Sequence, residues 1–138
     1  MFRNCTSLIV APALQATTLA TDCYSCMFEG CTSLVVAPEL LVTTLASNCY
    51  QNMFYGCTSL TTAPELPAPT LVTKCYQNMF RNCSSLNYIK VSATSWNTSY
   101  TTNWVSGVAT SGTFEKPSST TIDPGVNGIP SGWTVINI

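Results

Sequence analysis

Eight cysteines and six carboxylates are the side chains most able to do chemistry in this sequence, and their spacing sorts them. Cys5, Cys31, Cys57 and Cys83 recur at a step of 26 residues, and Cys23, Cys49 and Cys75 keep the same step. Within a repeat, Cys49 and Cys57 are eight apart. On a helix that is about 12 Å along the axis, beyond the roughly 7 Å Cα separation a disulfide allows. Cysteines at the same position of adjacent repeats could bridge. The same thiols also suit an apolar interior, where cysteine packs as a small hydrophobe. Zinc is poorly served, because the sequence has no histidine and Cys23-x-x-Cys26 stands without a second such pair. A redox role for that pair lacks the surrounding βαβ pattern. Among the acids, Glu39 and Glu65 share a repeat position. They read either as a glycosidase-like carboxylate pair or as a solvated surface ladder. Without histidine the commonest general base near neutral pH is missing. No glycine-rich phosphate loop is present. The expectation is therefore no catalytic residue, no cofactor and no metal.

These residues must be positioned by a repeating element. Met1-Phe2, Met27-Phe28, Met53-Phe54 and Met79-Phe80 recur at the step of 26, as do Leu8, Leu34, Leu60 and Leu86. Ala-Pro recurs at Ala11-Pro12, Ala37-Pro38 and Ala63-Pro64, and Cys-Tyr at Cys23-Tyr24, Cys49-Tyr50 and Cys75-Tyr76. Residues 27–52 and 53–78 match at 17 of 26 positions without a gap. A unit of this size cannot bury its own apolar face, so repeats must stack. Thr58 to Ala63 reads as a short strand closed by Pro64, which cannot donate to a ladder. Cys49, Tyr50, Met53, Phe54 and Cys57 fall on one face of a short helix. Gly30 and Gly56 would end such helices; Asn4 and Asn82 take the same place and tolerate a left-handed backbone. The expected core ladder is Leu8, Leu34, Leu60, Leu86, Phe28, Phe54, Phe80, Cys31, Cys57 and Cys83.

The pattern Met-Phe-x-Gly/Asn-Cys-Thr/Ser-Ser-Leu resembles the BspA-like leucine-rich repeats of bacterial surface and phage-associated proteins. The closest strand is Ser85-Leu86-Asn87-Tyr88-Ile89-Lys90-Val91, and the resemblance spans residues 1–91. The unit is longer than the usual family repeat, and alanine stands at 11, 37 and 63 where a large aliphatic residue is usual. The resemblance implies an α/β repeat solenoid of leucine-rich-repeat-like coils, each a short parallel strand, a corner and a short helix.

Composition changes near residue 92: every cysteine precedes it, and Trp96, Trp104 and Trp133 follow it. Residues 1–91 are read as the repeat domain and 92–138 as a C-terminal α+β cap. The cap would have a short helix within 97–108 and strands at 112–116 and 133–138. Met1 falls on the repeat register, so the first unit starts uncapped. Either further repeats precede it or another chain covers it, and an exposed edge is a template for pairing.

Charged residues make up only 8% of the chain, and the five basic ones are scattered. That argues against nucleic acid, which needs clustered cations, and no apolar run reaches the roughly 20 residues of a membrane span. The outward strand positions are Ile9, Val10, Val35, Val36, Thr61, Thr62, Asn87 and Tyr88, and the last six are the candidate binding face. The expected function is a surface or secreted recognition or adhesion module for a protein or glycan. The alternative is a structural subunit of a filament, fibre or virion. Both place the chain outside a cell or on its surface.

Overall fold

A run of residues with positive φ decides the local structure. Asn48, Asn52 and Gly56 have φ of 56°, 55° and 73°; Asp22, Cys26 and Gly30 repeat the pattern, and so do Lys74, Asn78 and Asn82. A left-handed residue at every fourth position cannot sit in an α-helix. In the computed structural model, which describes residues 1–138, the chain has three short strands and no helix. The expected α/β solenoid with leucine-rich-repeat-like coils is thereby corrected, and the α+β cap with it. The segments around 49–57 and within 97–108 are chains of turns.

The turns explain why the spacing misled. Cys49, Gln51, Met53, Tyr55 and Cys57 each donate their N–H to the carbonyl three residues back. The intervening amides reach into the following repeat: Asn48 to Thr73, Tyr50 to Cys75, Asn52 to Gln77, Phe54 to Met79 and Gly56 to Arg81, at 2.9–3.2 Å. One set of amides closes turns and the other stitches repeats together. Both sets are satisfied, as buried backbone requires. A turn unit of four residues puts i, i+4 and i+8 on one side just as a helix does over so short a stretch.

The stitching carries a parallel offset of 25 residues from donor to acceptor, seen again from Phe2 to Met27 and from Phe28 to Met53. It continues on residues 100–106 at an offset of 24, as in Phe80 to Trp104. Side chains therefore pile in register. Phe2, Phe28, Phe54 and Phe80 form a column with neighbouring centroids 5.6 Å apart. Tyr24, Tyr50, Tyr76 and Trp104 form a second column at 6.1–6.3 Å. Leu34, Leu60 and Leu86 are fully buried, as are Phe28, Phe54, Phe80, Cys31, Cys57 and Cys83; Leu8, in the first repeat, is half-buried.

Regular strands appear only toward the C-terminus. β1 (Tyr88–Lys90), β2 (Thr113–Lys116) and β3 (Thr134–Asn137) form one open parallel sheet in that order. Tyr88 lies opposite Thr113, and Thr113 opposite Thr134. Earlier repeats contribute only single bridges, Val10 with Val36, Thr62 with Tyr88 and Leu66 with Val91. The tail closes the far end through its indoles. Trp96 Nε1 donates to Asn127 O at 3.0 Å, Trp104 Nε1 to Gly128 O at 2.8 Å and Trp133 Nε1 to Ala109 O at 2.8 Å. Buried indoles need such partners; the first two bonds tie the loop 122–129 to Trp96 and Trp104, and the third ties Trp133 to the turn at Ala109.

Candidate binding face

Along the strand side each repeat turns one leucine inward and leaves the next two residues outside. Ile9, Val10, Val35 and Val36 are between 48% and 59% exposed, a contiguous aliphatic area. Val35 and Val36 both donate their amides to Ile9 O, at 2.8 and 3.2 Å, which locks the two repeats together beneath it. Thr61, Thr62 and Asn87 are exposed and Tyr88 is half-buried. Asn87 N donates to Thr61 O at 2.9 Å. The six residues of the expected face thus lie in two groups. The aliphatic pair Val35 and Val36 belongs with Ile9 and Val10, and the polar four pair with each other. No bridge joins Val36 to Thr62; Ser59 Oγ spans the seam instead, donating to Thr32 O at 2.6 Å.

The polar end carries fixed charge. Lys90 Nζ stands 3.1 Å from Glu65 Oε1, and the bond to Glu65 raises the Lys90 pKa. Burial and a hydrogen bond to Glu115 raise that of Tyr88. Glu65 therefore sits in an ion pair, in the same cleft that Glu39 lines.

The cysteines are all free thiols. Cys31 Sγ donates to Phe2 O at 2.9 Å, Cys57 Sγ to Phe28 O at 3.1 Å and Cys83 Sγ to Phe54 O at 3.0 Å, one bond per repeat. Burial pushes the Cys75 thiol up to about 11, and Cys49 and Cys83 up to about 12. Cys57 is raised by the same cause, reinforced by Cys83 and Cys31 beside it. The nucleophilic form is the thiolate, so these positions are chemically quiet. Nowhere do three His, Cys, Asp or Glu side chains converge in a metal-binding geometry.

No family model, curated protein or solved structure matches the chain.

Two clefts on the loop side lie outside the residues singled out from sequence. One, of about 770 Å³, is lined by Leu14 to Leu19 and Leu41 to Leu45. The other, of about 490 Å³, lies between Ala37–Leu41 and Pro64–Pro67. They share Leu41, whose side chain is 72% exposed. A signal was present: Leu41 occupies the repeat position of Gln15 and Pro67, and is the one large aliphatic residue there. No helix is long and apolar enough to cross a membrane.

Proposed function

We propose that this chain is a non-catalytic recognition module of a cell surface or secreted protein, which holds a protein partner on its strand side. The observation that carries the reading is the aliphatic area of Ile9, Val10, Val35 and Val36. A contiguous exposed apolar patch marks a contact site, and here its two repeats are joined by the bonds of Val35 and Val36 to Ile9 O and of Ala11 to Val36 O. The polar group Thr61, Thr62, Asn87 and Tyr88 extends the surface and supplies donors and acceptors for specificity, as the rim of an interface does. The resemblance of the Met-Phe-x-Gly/Asn-Cys-Thr/Ser-Ser-Leu motif to BspA-like surface repeats supports the same reading.

The test compares the wild type with the double variant Val35→Ser, Val36→Ser, both immobilised and exposed to host-cell surface proteins and to a glycan array. The reading predicts a protein partner retained by the wild type and lost from the variant at unchanged thermal stability. Equal retention on both chains, or binding to glycans alone, contradicts it.

A further inference from the structure

The chain contains three Asn-x-Ser/Thr tripeptides: Asn4-Cys5-Thr6, Asn82-Cys83-Ser84 and Asn97-Thr98-Ser99. That pattern accepts an N-linked oligosaccharide, a bulky and solubilising group that needs a surface position. The fold treats the three differently. Asn4 N donates to Glu29 O and Asn82 N to Ser106 O, both at 2.7 Å, so each asparagine takes part in the bonding between layers of the stack. Both hold positive φ, 59° and 62°. Their side chains lie against glycines: a Cβ on Gly30 would collide with Asn4 Oδ1, and one on Gly107 would stand 2.8 Å from Asn82 Oδ1. Asn82 Nδ2, the atom that would carry a sugar, donates to Tyr55 Oη at 3.4 Å. Cys83, in the middle of that tripeptide, is fully buried.

Asn97-Thr98-Ser99 is free of these ties, and all three residues are exposed. Asn97 Oδ1 accepts from Ser99 N at 3.0 Å and from Ser99 Oγ at 2.6 Å, a local Asx turn. The side-chain oxygen is thus engaged within the tripeptide, while Nδ2 donates to nothing in the chain. The remaining bonds are local too. Asn97 O accepts from Tyr100 N and Thr101 Oγ1, and Thr102 Oγ1 donates to Thr98 O and Ser99 O. None crosses to another layer of the stack. The tripeptide can therefore enter the site of a transfer enzyme without opening the stack. Beside it, the indole of Trp96 is tied to Asn127 O at 3.0 Å, which gives the attachment point a fixed base.

We propose that Asn97 carries an N-linked oligosaccharide. The donor is a lipid-diphosphate-linked oligosaccharide of a secretory membrane, so the inference rests on the surface or secreted reading above. In the transfer, Asn97 Nδ2 forms a bond to the anomeric carbon of the first sugar. The bond from that carbon to the diphosphate oxygen breaks, the lipid diphosphate leaves with the electron pair, and Nδ2 gives up a proton. Nothing is oxidised or reduced. The glycan supplies what the protein surface lacks. Charged residues make up 8% of the chain, against about 25% in an average soluble domain, and large aliphatic side chains such as Leu41 stand exposed. A hydrated oligosaccharide helps to keep such a surface in solution.

The test is secretion of the full chain from a glycosylating eukaryotic host behind a cleaved leader. Release of the glycan by an amidase in heavy-oxygen water turns the carrier asparagine into a labelled aspartate, which peptide mass spectrometry locates. In the folded wild type the label is expected at Asn97 and not at Asn4 or Asn82. Asn97→Gln and Ser99→Ala should lose it, and Ser99→Thr, which keeps the hydroxyl, should retain it. The wild-type map needs no variant to fold, so it decides the site even if a substitution disturbs the turn. An unlabelled Asn97 overturns the inference, as does equal or greater labelling of Asn4 or Asn82, or a label that survives Ser99→Ala. The leader alone brings the chain to the donor, so an unlabelled Asn97 counts against this site and leaves the test on Val35 and Val36 untouched.

Discussion

The rings of Phe28 and Phe54, 26 residues apart in sequence, lie 5.6 Å from centre to centre and within 8° of parallel. That spacing follows from the backbone bond between Phe28 N and Met53 O, at 2.9 Å, which fixes one repeat on the next. Such offset-stacked pairs add to the area they bury. Phe54 has a neighbour on each side, Phe28 and Phe80, and no exposure at all.

Phe54→Ala should therefore cost about 3–5 kcal/mol, the range for emptying a buried phenylalanine site. Phe2, half-buried at the end of the same column with one neighbour, should cost less than half as much. Urea unfolding of the two variants checks this. Equal losses would mean that the column is not a shared interior.

Stability should fall as pH rises above the ordinary thiol range. Burial raises the folded pKa of Cys49, Cys57, Cys75 and Cys83 above the unfolded value of 9.0. Below 9.0 both states keep the protons and the contribution is fully present. Above it the unfolded chain ionises first, so stability is lost until the folded pKa, about 11 for Cys75 and about 12 for Cys49 and Cys83, is passed. Each thiol withdraws about 1.4 kcal/mol per pH unit in that window. Unfolding midpoints in the presence of a reductant should drop between pH 9.0 and about pH 11; a flat profile would place these thiols in water.

Gly112 joins β1 to β2 at close quarters. A Cβ there would collide with Asn87 O and stand 2.8 Å from Trp133 Cε2. Gly112→Ala should cost about 1–3 kcal/mol through forced backbone movement and loosen Trp133, whose indole bonds Ala109 O. A blue or red shift in tryptophan emission with a lowered melting temperature is the expected readout. Unchanged emission and stability would contradict the close approach.

Cys26 holds φ of 57° where the next two repeats place Asn52 and Asn78 in the same conformation. Asparagine tolerates the left-handed region better than other residues with a side chain. Cys26→Asn should raise stability by about 0.5–1 kcal/mol through relief of that strain. Calorimetry decides the sign, and a lower melting temperature would show that the thiol's packing outweighs its backbone cost.

The period of the fold is plain in the sequence, because Phe, Leu and Cys recur at the step that separates the stacked side chains. The form of each repeat was not legible from the apolar residues. Cys49, Tyr50, Met53, Phe54 and Cys57 suit a helix of 3.6 residues per turn and a run of four-residue turns almost equally over two turns. The residues that decide are polar. Asn48, Asn52 and Gly56 fall four apart, as do Lys74, Asn78 and Asn82, and each has positive φ. A regular spacing of Asn and Gly is a turn signal, yet only the last member of each series reads as a helix stop when taken singly. At the candidate face, the outward residues can be named from the alternation around each leucine. Their division into an aliphatic and a polar group cannot, because it depends on which pairs bond: Val10 bridges Val36 and Thr62 bridges Tyr88, but Val36 and Thr62 form no bridge.

The most direct test of the stacked-turn account is scalar coupling across backbone hydrogen bonds in the reduced, isotope-labelled chain. The account predicts that the amide nitrogen of Phe28 couples to the carbonyl carbon of Met53, and that of Phe54 to Met79. Coupling of Phe54 instead to Tyr50, four residues back as in a helix, would contradict it.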